Sequence, residues 1–172
     1  MCGVAERARE AGARVLTLEV IVGNDRARSL YEKLGFATRR GLEVLALAAD
    51  GGGGEAEPLP VDAARSLIAA RRADEEPWQR AGETLDNFAR RDPLLQALVS
   101  GDAAAIFRVS DGRVGLLQAA GGESGLLRLA GALRGFGTVT AANYPAGGPV
   151  AAALLDAGAE VTLRQYEMAL AL

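Results

Sequence analysis

The alternation of hydrophobic and polar residues predicts a βαβ segment near the start of the chain. Apolar residues at helical spacing over residues 4–11, followed by Gly12, predict a short first helix. Residues 15–22, VLTLEVIV, are almost wholly apolar, which predicts a strand that is buried on both faces of a sheet. A second strand is predicted over residues 42–48. Between the two strands, one apolar helix face at i, i+3, i+4 and i+7 is formed by Ala27, Leu30, Tyr31 and Leu34.

Both ends of this second helix carry local signals. Asn24 can accept a hydrogen bond from the free backbone amides of the first helical turn, so it is predicted to cap the helix. Gly35 can adopt the left-handed conformation that ends a helix, and Phe36 can then fold back onto the last turn.

A glycine-rich segment, ADGGGGEAEPLP at residues 49–60, follows. Four consecutive glycines predict a flexible connector and hence a domain boundary between residues 1–48 and 61–172. A glycine-rich phosphate loop is the less favoured interpretation, because no close strand-to-helix transition and no Lys-Ser/Thr pair accompany it.

The remainder of the chain alternates predicted helices and strands. Residues 61–99 are predicted to be helical with breaks at Pro77 and Pro93, and Trp78 within them is predicted to be a core residue. The tripeptide SDG predicts a hairpin turn between two strands. The predicted elements are strands at 104–109, 113–119, 138–142 and 161–172, and helices at 124–134 and 149–157.

The end of the chain repeats the pattern of its beginning. Residues 15–47 and 138–172 are each predicted to run strand, asparagine cap, helix, glycine stop and strand, with Asn143 and Gly158 in the second copy. Two further pairs correspond in the final strands, namely Arg40 with Arg164 and Glu43 with Glu167. We interpret the two segments as copies of one βαβ-like unit; two unrelated βαβ segments are the alternative.

Composition excludes several kinds of catalytic chemistry. The 172 residues are 49% hydrophobic and 24% charged with a net charge of −3, which is typical of a soluble cytoplasmic protein that has neither nucleic acid nor membrane as a partner. The chain has no histidine and one cysteine, Cys2, so histidine bases, histidine metal ligands and intrachain disulfides are excluded. We expect no metal, and we expect catalysis, if present, to use carboxylates, tyrosine, backbone amides or water.

The segment LTLEVIVGNDRARSLYEKLGFATRRGLEV resembles the C-terminal half of the GCN5-related N-acetyltransferase (GNAT) family. The resemblance implies an α/β (α+β) fold with a mixed, mostly antiparallel sheet flanked by helices. Its specific part covers residues 4–47, and residues 61–172 resemble the same fold in degenerate form. The implied organisation is a tandem of two such domains, with residues 1–48 as an N-terminally shortened first copy and residues 49–60 as linker.

By this resemblance the protein transfers an acetyl group from acetyl-CoA to an amine of a small molecule or a protein. The resemblance places Asn24, Ala27 and Arg28 beside acetyl-CoA and makes Tyr31 the proton donor to the leaving thiolate. A phenol with a pKa of about 10 can protonate a thiolate whose conjugate thiol has a pKa of about 8.5. Core packing for Tyr31 and helix capping for Asn24 are the purely structural alternatives.

The departures from the family pattern keep other functions open. The pyrophosphate loop Q/R-x-x-G-x-G/A, which uses the free amides of a helix N-terminus, is not found at Met1-Cys2-Gly3. The nearest candidate, residues 118–123, ends in Glu123, and Leu154 stands in the second copy where Tyr31 stands in the first. The alternatives to an active enzyme are a non-catalytic module for ligand binding or dimerisation, and a binder of another small molecule. In the non-catalytic module the first unit would complete the sheet of the second, either within one chain or across the twofold axis of a homodimer.

Overall fold

The computed structural model describes residues 2–71, 77 and 94–172, and it shows a mixed α/β fold. Eight strands pair mostly antiparallel and are flanked by helices. The elements are α1 (Cys2–Glu10), β1 (Val15–Ile21), α2 (Asp25–Lys33), β2 (Ala37–Leu47), β3 (Glu57–Pro58), α3 (Val61–Arg71), β4 (Leu95–Ser100), β5 (Ala103–Ser110), β6 (Arg113–Ala120), α4 (Glu123–Arg134), β7 (Thr138–Pro145), α5 (Pro149–Asp156) and β8 (Glu160–Ala171). The predicted fold class is confirmed.

Most predicted elements are present, with shifts at their ends. The hairpin turn predicted at SDG is confirmed, because Asp111 and Gly112 adopt φ values of 51° and 69° between β5 and β6, as a tight hairpin requires. The prediction of helix up to residue 99 is wrong, since residues 95–100 form β4. The predictions for residues 72–76 and 78–93, including Trp78, lie outside the described residues.

The chain divides into two compact units, which do not coincide with contiguous segments. The first comprises Met1–Leu42 and Leu163–Leu172, and the second comprises Glu43–Thr162. In the first unit the strand order is β1-β8-β2, and β1 pairs antiparallel with β8 from Val15↔Ala171 to Ile21↔Gln165. Its small core is centred on Val20, Phe36 and Met168.

Strand β1 is less buried than its sequence suggests. Only Val20 is buried, while Val15 and Ile21 each expose 49% of their surface. The prediction of a strand buried on both faces is therefore wrong. Hydrophobicity alone does not report how many neighbours a strand has, and β1 lies at one end of the strand order in its unit.

The second unit is a sheet with helices on both faces. Its strand order is β2-β7-β6-β5-β4-β3, and β6 and β7 pair in parallel. Alternate residues of β5 face two cores: Ala105 and Phe107 pack with α4 and α5, whereas Ala104 and Ile106 pack with α3. Because β5 has helices on both of its faces, every residue from 103 to 107 is buried.

The glycine-rich segment, which the sequence predicts to connect two domains, makes contacts with α4. Gly53 N–H donates to the carbonyl of Gly131 at 3.3 Å, and Arg134 forms an ion pair with Asp50 at 2.8 Å. A Cβ atom on Gly54 would lie 1.8 Å from the carbonyl oxygen of Arg128. The glycines therefore permit a close approach between two backbones.

The two βαβ segments share their helix ends but differ at their helix starts. Gly35 and Gly158 have φ values of 92° and 94°, and each is followed by a backbone amide that donates to a carbonyl five residues earlier. The prediction that Asn143 caps the second helix is wrong, because Asn143 lies within β7 with a φ of 57°. Gly148 occupies the cap position of α5 and has no side chain to contribute.

Candidate functional site

Helix α2 carries all four residues that the sequence assigns to a site. Asn24 caps the helix, since its Oδ1 accepts a hydrogen bond from the backbone N–H of Ala27 at 3.1 Å. The Asn24 carbonyl also accepts from the N–H of Arg28 at 3.0 Å. The capping role of Asn24 is thereby confirmed, and its position at the positive end of the helix dipole favours nearby negative charge.

Tyr31 lies on the packed face of α2. It is half-buried, and its ring meets that of Phe36 edge-on with centroids 5.8 Å apart. Ala27 and Leu34 pack into the same small core. Two aromatic rings in this arrangement restrict the orientation of the tyrosine ring, so the direction of its phenol bond is set by packing.

Arg28 already has two intramolecular partners. Its Nε donates to Glu32 Oε1 at 2.9 Å, one helical turn later. Its guanidinium lies 4.6 Å from the centroid of the Tyr166 ring, in a cation–π contact. Tyr166 is on β8, so no local sequence signal connects it with Arg28.

A shallow groove of about 550 Å³ runs along the other side of α2. It is mostly apolar, and Asn24 and Ala27 lie along it, whereas Tyr31 and Arg28 do not. Leu30 also lines it and is 54% exposed, so its predicted place on the packed face is wrong. The remaining residues of this groove, which the sequence analysis did not single out, are Arg26, Ser29 and Lys33.

The α2 groove combines apolar surface with two cationic side chains. Arg26 and Lys33 stand two helical turns apart on either side of Leu30. Such a surface suits an extended ligand that has an apolar part and anionic groups. The two cationic residues lie on the polar face of the helix, and hydrophobic periodicity by itself assigns such a face to solvent, so it does not indicate a ligand site.

A buried ion pair lies on the sheet of the same unit. Arg40 Nε and Glu167 Oε2 are 2.5 Å apart, with 18% and 2% of their side chains exposed. Glu19 on β1 is the direct cross-strand neighbour of Glu167. Arg40 and Glu167 belong to different copies of the repeat predicted from the sequence, and the structure brings these two residues together.

In the second unit, the segment where a phosphate loop would lie, at the N-terminus of α4, carries negative charge. Gly122 caps α4, and its N–H donates to Asp102 Oδ2 at 3.1 Å. Glu123 is the first residue of the helix. Asp102 therefore occupies an amide that a phosphate would need, and the negative charges of Asp102 and Glu123 at this end of α4 disfavour a bound anion.

Strands β6 and β7 pair over only part of their length. Their parallel register extends from Arg113↔Thr138 to Leu116↔Ala141, although both strands continue for four more residues. A separate small cavity of about 10 Å³ lies in the core beneath α4 and α5. A cavity of this size holds about one water molecule. It is closed by side chains of the sheet, α4 and α5, namely Ala105, Leu116, Ala119, Leu126, Leu129, Ala130, Leu133, Val150, Ala153 and Leu154.

Among residues 2–71, 77 and 94–172, no group of three or more His, Cys, Asp and Glu side chains is arranged to hold a metal ion. No helix in the described part of the chain is long and apolar enough to cross a membrane.

Comparison with known proteins identifies both the fold and a family segment. A family model described as Acetyltransferase (GNAT) family matches residues 3–36, which correspond to α1, β1 and α2. None of the curated proteins compared with the chain matches it.

Several solved structures share the fold over nearly the whole chain. A GCN5-related N-acetyltransferase from Sphaerobacter thermophilus has a TM-score of 0.64 at 16% identity, covering 96% of this chain and 64% of that one. A second, from Kribbella flavida, has a TM-score of 0.59 at 19% identity, covering 99% and 46%. A third, from Anabaena variabilis, has a TM-score of 0.60 at 13% identity, covering 97% and 48%.

This chain therefore spans between 46% and 64% of the length of these three structures. The likeness at such low identity concerns the fold, while the family match concerns the sequence of the segment that contains Asn24 and Tyr31. The chain thus has the fold of the GNAT acetyltransferases, and its residues 3–36 carry the sequence signature of that family.

Proposed function

We propose that the protein is an acetyl-CoA-dependent N-acetyltransferase whose acceptor is a primary amine of a small molecule or a protein. The observation that carries the proposal is the position of the GNAT match, since residues 3–36 contain the whole of α2 together with its cap and its tyrosine. The family and the fold support an N-acetyltransferase type of function, and the first unit is where the proposal locates the chemistry.

Acetyl-CoA fits the first unit better than the second. In the second unit the negative charges of Asp102 and Glu123 at the N-terminus of α4 disfavour its pyrophosphate. In the first unit Asn24 and Ala27 lie on the α2 groove, whose surface suits the phosphate end of the cofactor. Tyr31 lies on the packed face of the same helix, so the pantetheine arm has to pass from the groove to that face for the thioester to reach the phenol. Arg26 and Lys33 supply positive charge for its phosphates.

Tyr31 supplies the proton in the proposed reaction. The amine nitrogen attacks the thioester carbonyl carbon and loses a proton to water, the carbon–sulfur bond then breaks, and the tyrosinate formed when Tyr31 protonates the sulfur regains its proton from solvent. The phenol of Tyr31 donates its proton to the departing sulfur, so that the thiol leaves neutral. The contact with Phe36 holds the tyrosine ring in a restricted orientation, which reduces the entropy lost when the proton is transferred.

Kinetics of a Tyr31→Phe variant test this role. The substitution removes only the hydroxyl and keeps the ring that packs on Phe36. We expect kcat to fall by about 100-fold or more with little change in the KM for acetyl-CoA. Tyr166→Phe is the matched control, because it keeps the ring under Arg28 and should retain full activity. Full turnover by Tyr31→Phe would eliminate the proton-donor proposal.

A non-catalytic GNAT-like module is the second candidate. It is favoured by the second unit, where Leu154 replaces the tyrosine and Asp102 takes up an amide of the candidate phosphate loop. Isothermal titration calorimetry with acetyl-CoA separates the two candidates. Binding that weakens in the double variant Arg26→Ala with Lys33→Ala supports the enzyme, whereas no binding at millimolar acetyl-CoA supports the module.

A further inference from the structure

The second unit contains a polar cavity that the proposed acetyl transfer does not use. It measures about 610 Å³ and is lined by residues 55–57, residues 99–101 and Arg128. These residues come from the segment that leads into β3, from the end of β4 with the turn after it, and from the middle of α4. The cavity shares no residue with the α2 groove, which belongs to the other unit. Its size is that of a site for a small molecule.

A buried hydroxyl fixes the orientation of the arginine in this cavity. Ser100 is 5% exposed, and its Oγ accepts a hydrogen bond from Arg128 Nε at 2.9 Å. The same hydroxyl donates its single proton to the carbonyl oxygen of Glu55 at 2.6 Å. The serine therefore holds the guanidinium through Nε alone, and the two terminal nitrogens of Arg128 are left to other partners.

A glycine makes room for this guanidinium. Gly101 has a φ of 59°, and a Cβ atom on it would lie 2.9 Å from Arg128 Nη2, so the guanidinium lies against backbone that carries no side chain. In the described part of the chain no carboxylate forms an ion pair with Arg128, although Glu55 and Glu57 line the same cavity. The cavity therefore holds three charged side chains that do not neutralise one another.

The charges of the cavity select the kind of ligand. An arginine with two available terminal nitrogens binds a carboxylate or a phosphate in a bidentate manner. Glu55 and Glu57 add two negative charges to this one positive charge, so the cavity carries an excess of negative charge. That excess disfavours a multiply charged anion such as phosphate. A ligand with one carboxylate and two ammonium groups provides an opposite charge for each of the three side chains.

We propose that this cavity binds an amino acid with a basic side chain. The carboxylate of the ligand pairs with the terminal nitrogens of Arg128, and its two ammonium groups lie near Glu55 and Glu57. Because both glutamates are exposed to water, each contributes little, and we expect a dissociation constant in the millimolar range. The proposal does not depend on acetyl transfer in the first unit.

Titration of the isotope-labelled chain with L-lysine, followed by NMR, tests the proposal. The backbone amide signals of residues 55–57 and 99–101 are expected to shift with a single dissociation constant. L-norleucine lacks the side-chain ammonium and cadaverine lacks the carboxylate, so each should bind at least about threefold more weakly than L-lysine. Inorganic phosphate should leave these signals in place.

Three variants locate the binding. Arg128→Met removes the guanidinium and should raise the dissociation constant for L-lysine at least about tenfold. Glu57→Gln removes one carboxylate at an exposed position, where the fold does not depend on it, and should raise the same constant about threefold. Arg113→Met is the matched control, because this exposed arginine of the same unit does not line the cavity, and it should leave the constant unchanged.

Four results would overturn the proposal. The first is the absence of any shift at tens of millimolar L-lysine, and the second is binding that neither Arg128→Met nor Glu57→Gln weakens. Equal affinities for L-lysine and cadaverine would exclude the contact between the carboxylate and Arg128. Equal affinities for L-lysine and inorganic phosphate would exclude an amino acid as the ligand class.

Discussion

Removing Arg40 is expected to destabilise the first unit more than any other change of a single charge described above. Its guanidinium is the partner of Glu167, whose side chain is 2% exposed. In an Arg40→Met variant that carboxylate stays buried, with the carboxylate of Glu19 on the neighbouring strand opposite it. Breaking a buried pair from one side generally costs about 3–5 kcal/mol. Since Arg40 is 18% exposed, we expect the lower end of this range, about 3 kcal/mol.

A double-mutant cycle separates the pair from the desolvation of its members. The double variant Arg40→Met with Glu167→Met replaces both charges by apolar side chains of similar volume. Such replacements are often neutral, so the double variant should be more stable than Arg40→Met alone, with a coupling free energy of about 2 kcal/mol. The free energies of unfolding are measured by urea titration at pH 7, followed by far-ultraviolet circular dichroism.

The control is an exposed ion pair in the same unit. The Glu32→Gln variant removes the ion pair with Arg28, in which the side chain of Arg28 is 38% exposed and that of Glu32 is 47% exposed. Because the pair is exposed, the change in the free energy of unfolding should be less than about 0.5 kcal/mol. If Arg40→Met costs no more than Glu32→Gln, or if the effects at Arg40 and Glu167 are additive, the reasoning about a coupled buried pair is refuted.

Two further predictions concern backbone geometry. Asn24→Ala removes the acceptor of the Ala27 N–H and should lower the free energy of unfolding by about 1 kcal/mol, while Asn24→Asp keeps the cap and should cost much less; urea titration measures both. Gly54→Ala puts a Cβ atom 1.8 Å from the carbonyl oxygen of Arg128 and should lower the free energy of unfolding by at least about 2 kcal/mol. Gly53→Ala is the control, because its Cβ atom would meet nothing within 4 Å. Equal melting temperatures for the two variants would contradict the packing described for the segment.

The parts of the fold that the sequence predicted depend on interactions between residues close in the chain. The cap at Asn24, the glycine end of α2 at Gly35 and the turn at Asp111-Gly112 each involve no more than six consecutive residues. Their side-chain chemistry and backbone freedom suffice to specify them. The same holds for α5, whose apolar stripe at Val150, Ala153 and Leu154 is buried as predicted.

Part of the candidate site was equally accessible from the sequence. The positions of Asn24, Ala27, Arg28 and Tyr31 on one helix followed from periodicity, and the family of the segment followed from its motif. Their roles toward acetyl-CoA stay predictions. Periodicity could not distinguish the buried side of α2 from the exposed side. Leu30 and Tyr31 both satisfy the apolar spacing, but only Tyr31 packs into the core, while Leu30 is exposed.

Tertiary structure decided every feature in which distant segments meet. Arg40 and Glu167 are 127 positions apart, and the contact of Gly54 with α4 joins two segments that the sequence placed in linker and domain. The exposure of β1 depends on its place in the strand order, which its own residues do not encode. A hydrophobic pattern indicates that a surface will be covered, but the packing of the whole chain selects the partner that covers it. For this reason the sequence alone determined the local elements, the family motif and the fold class, while the contacts between distant segments required the tertiary structure.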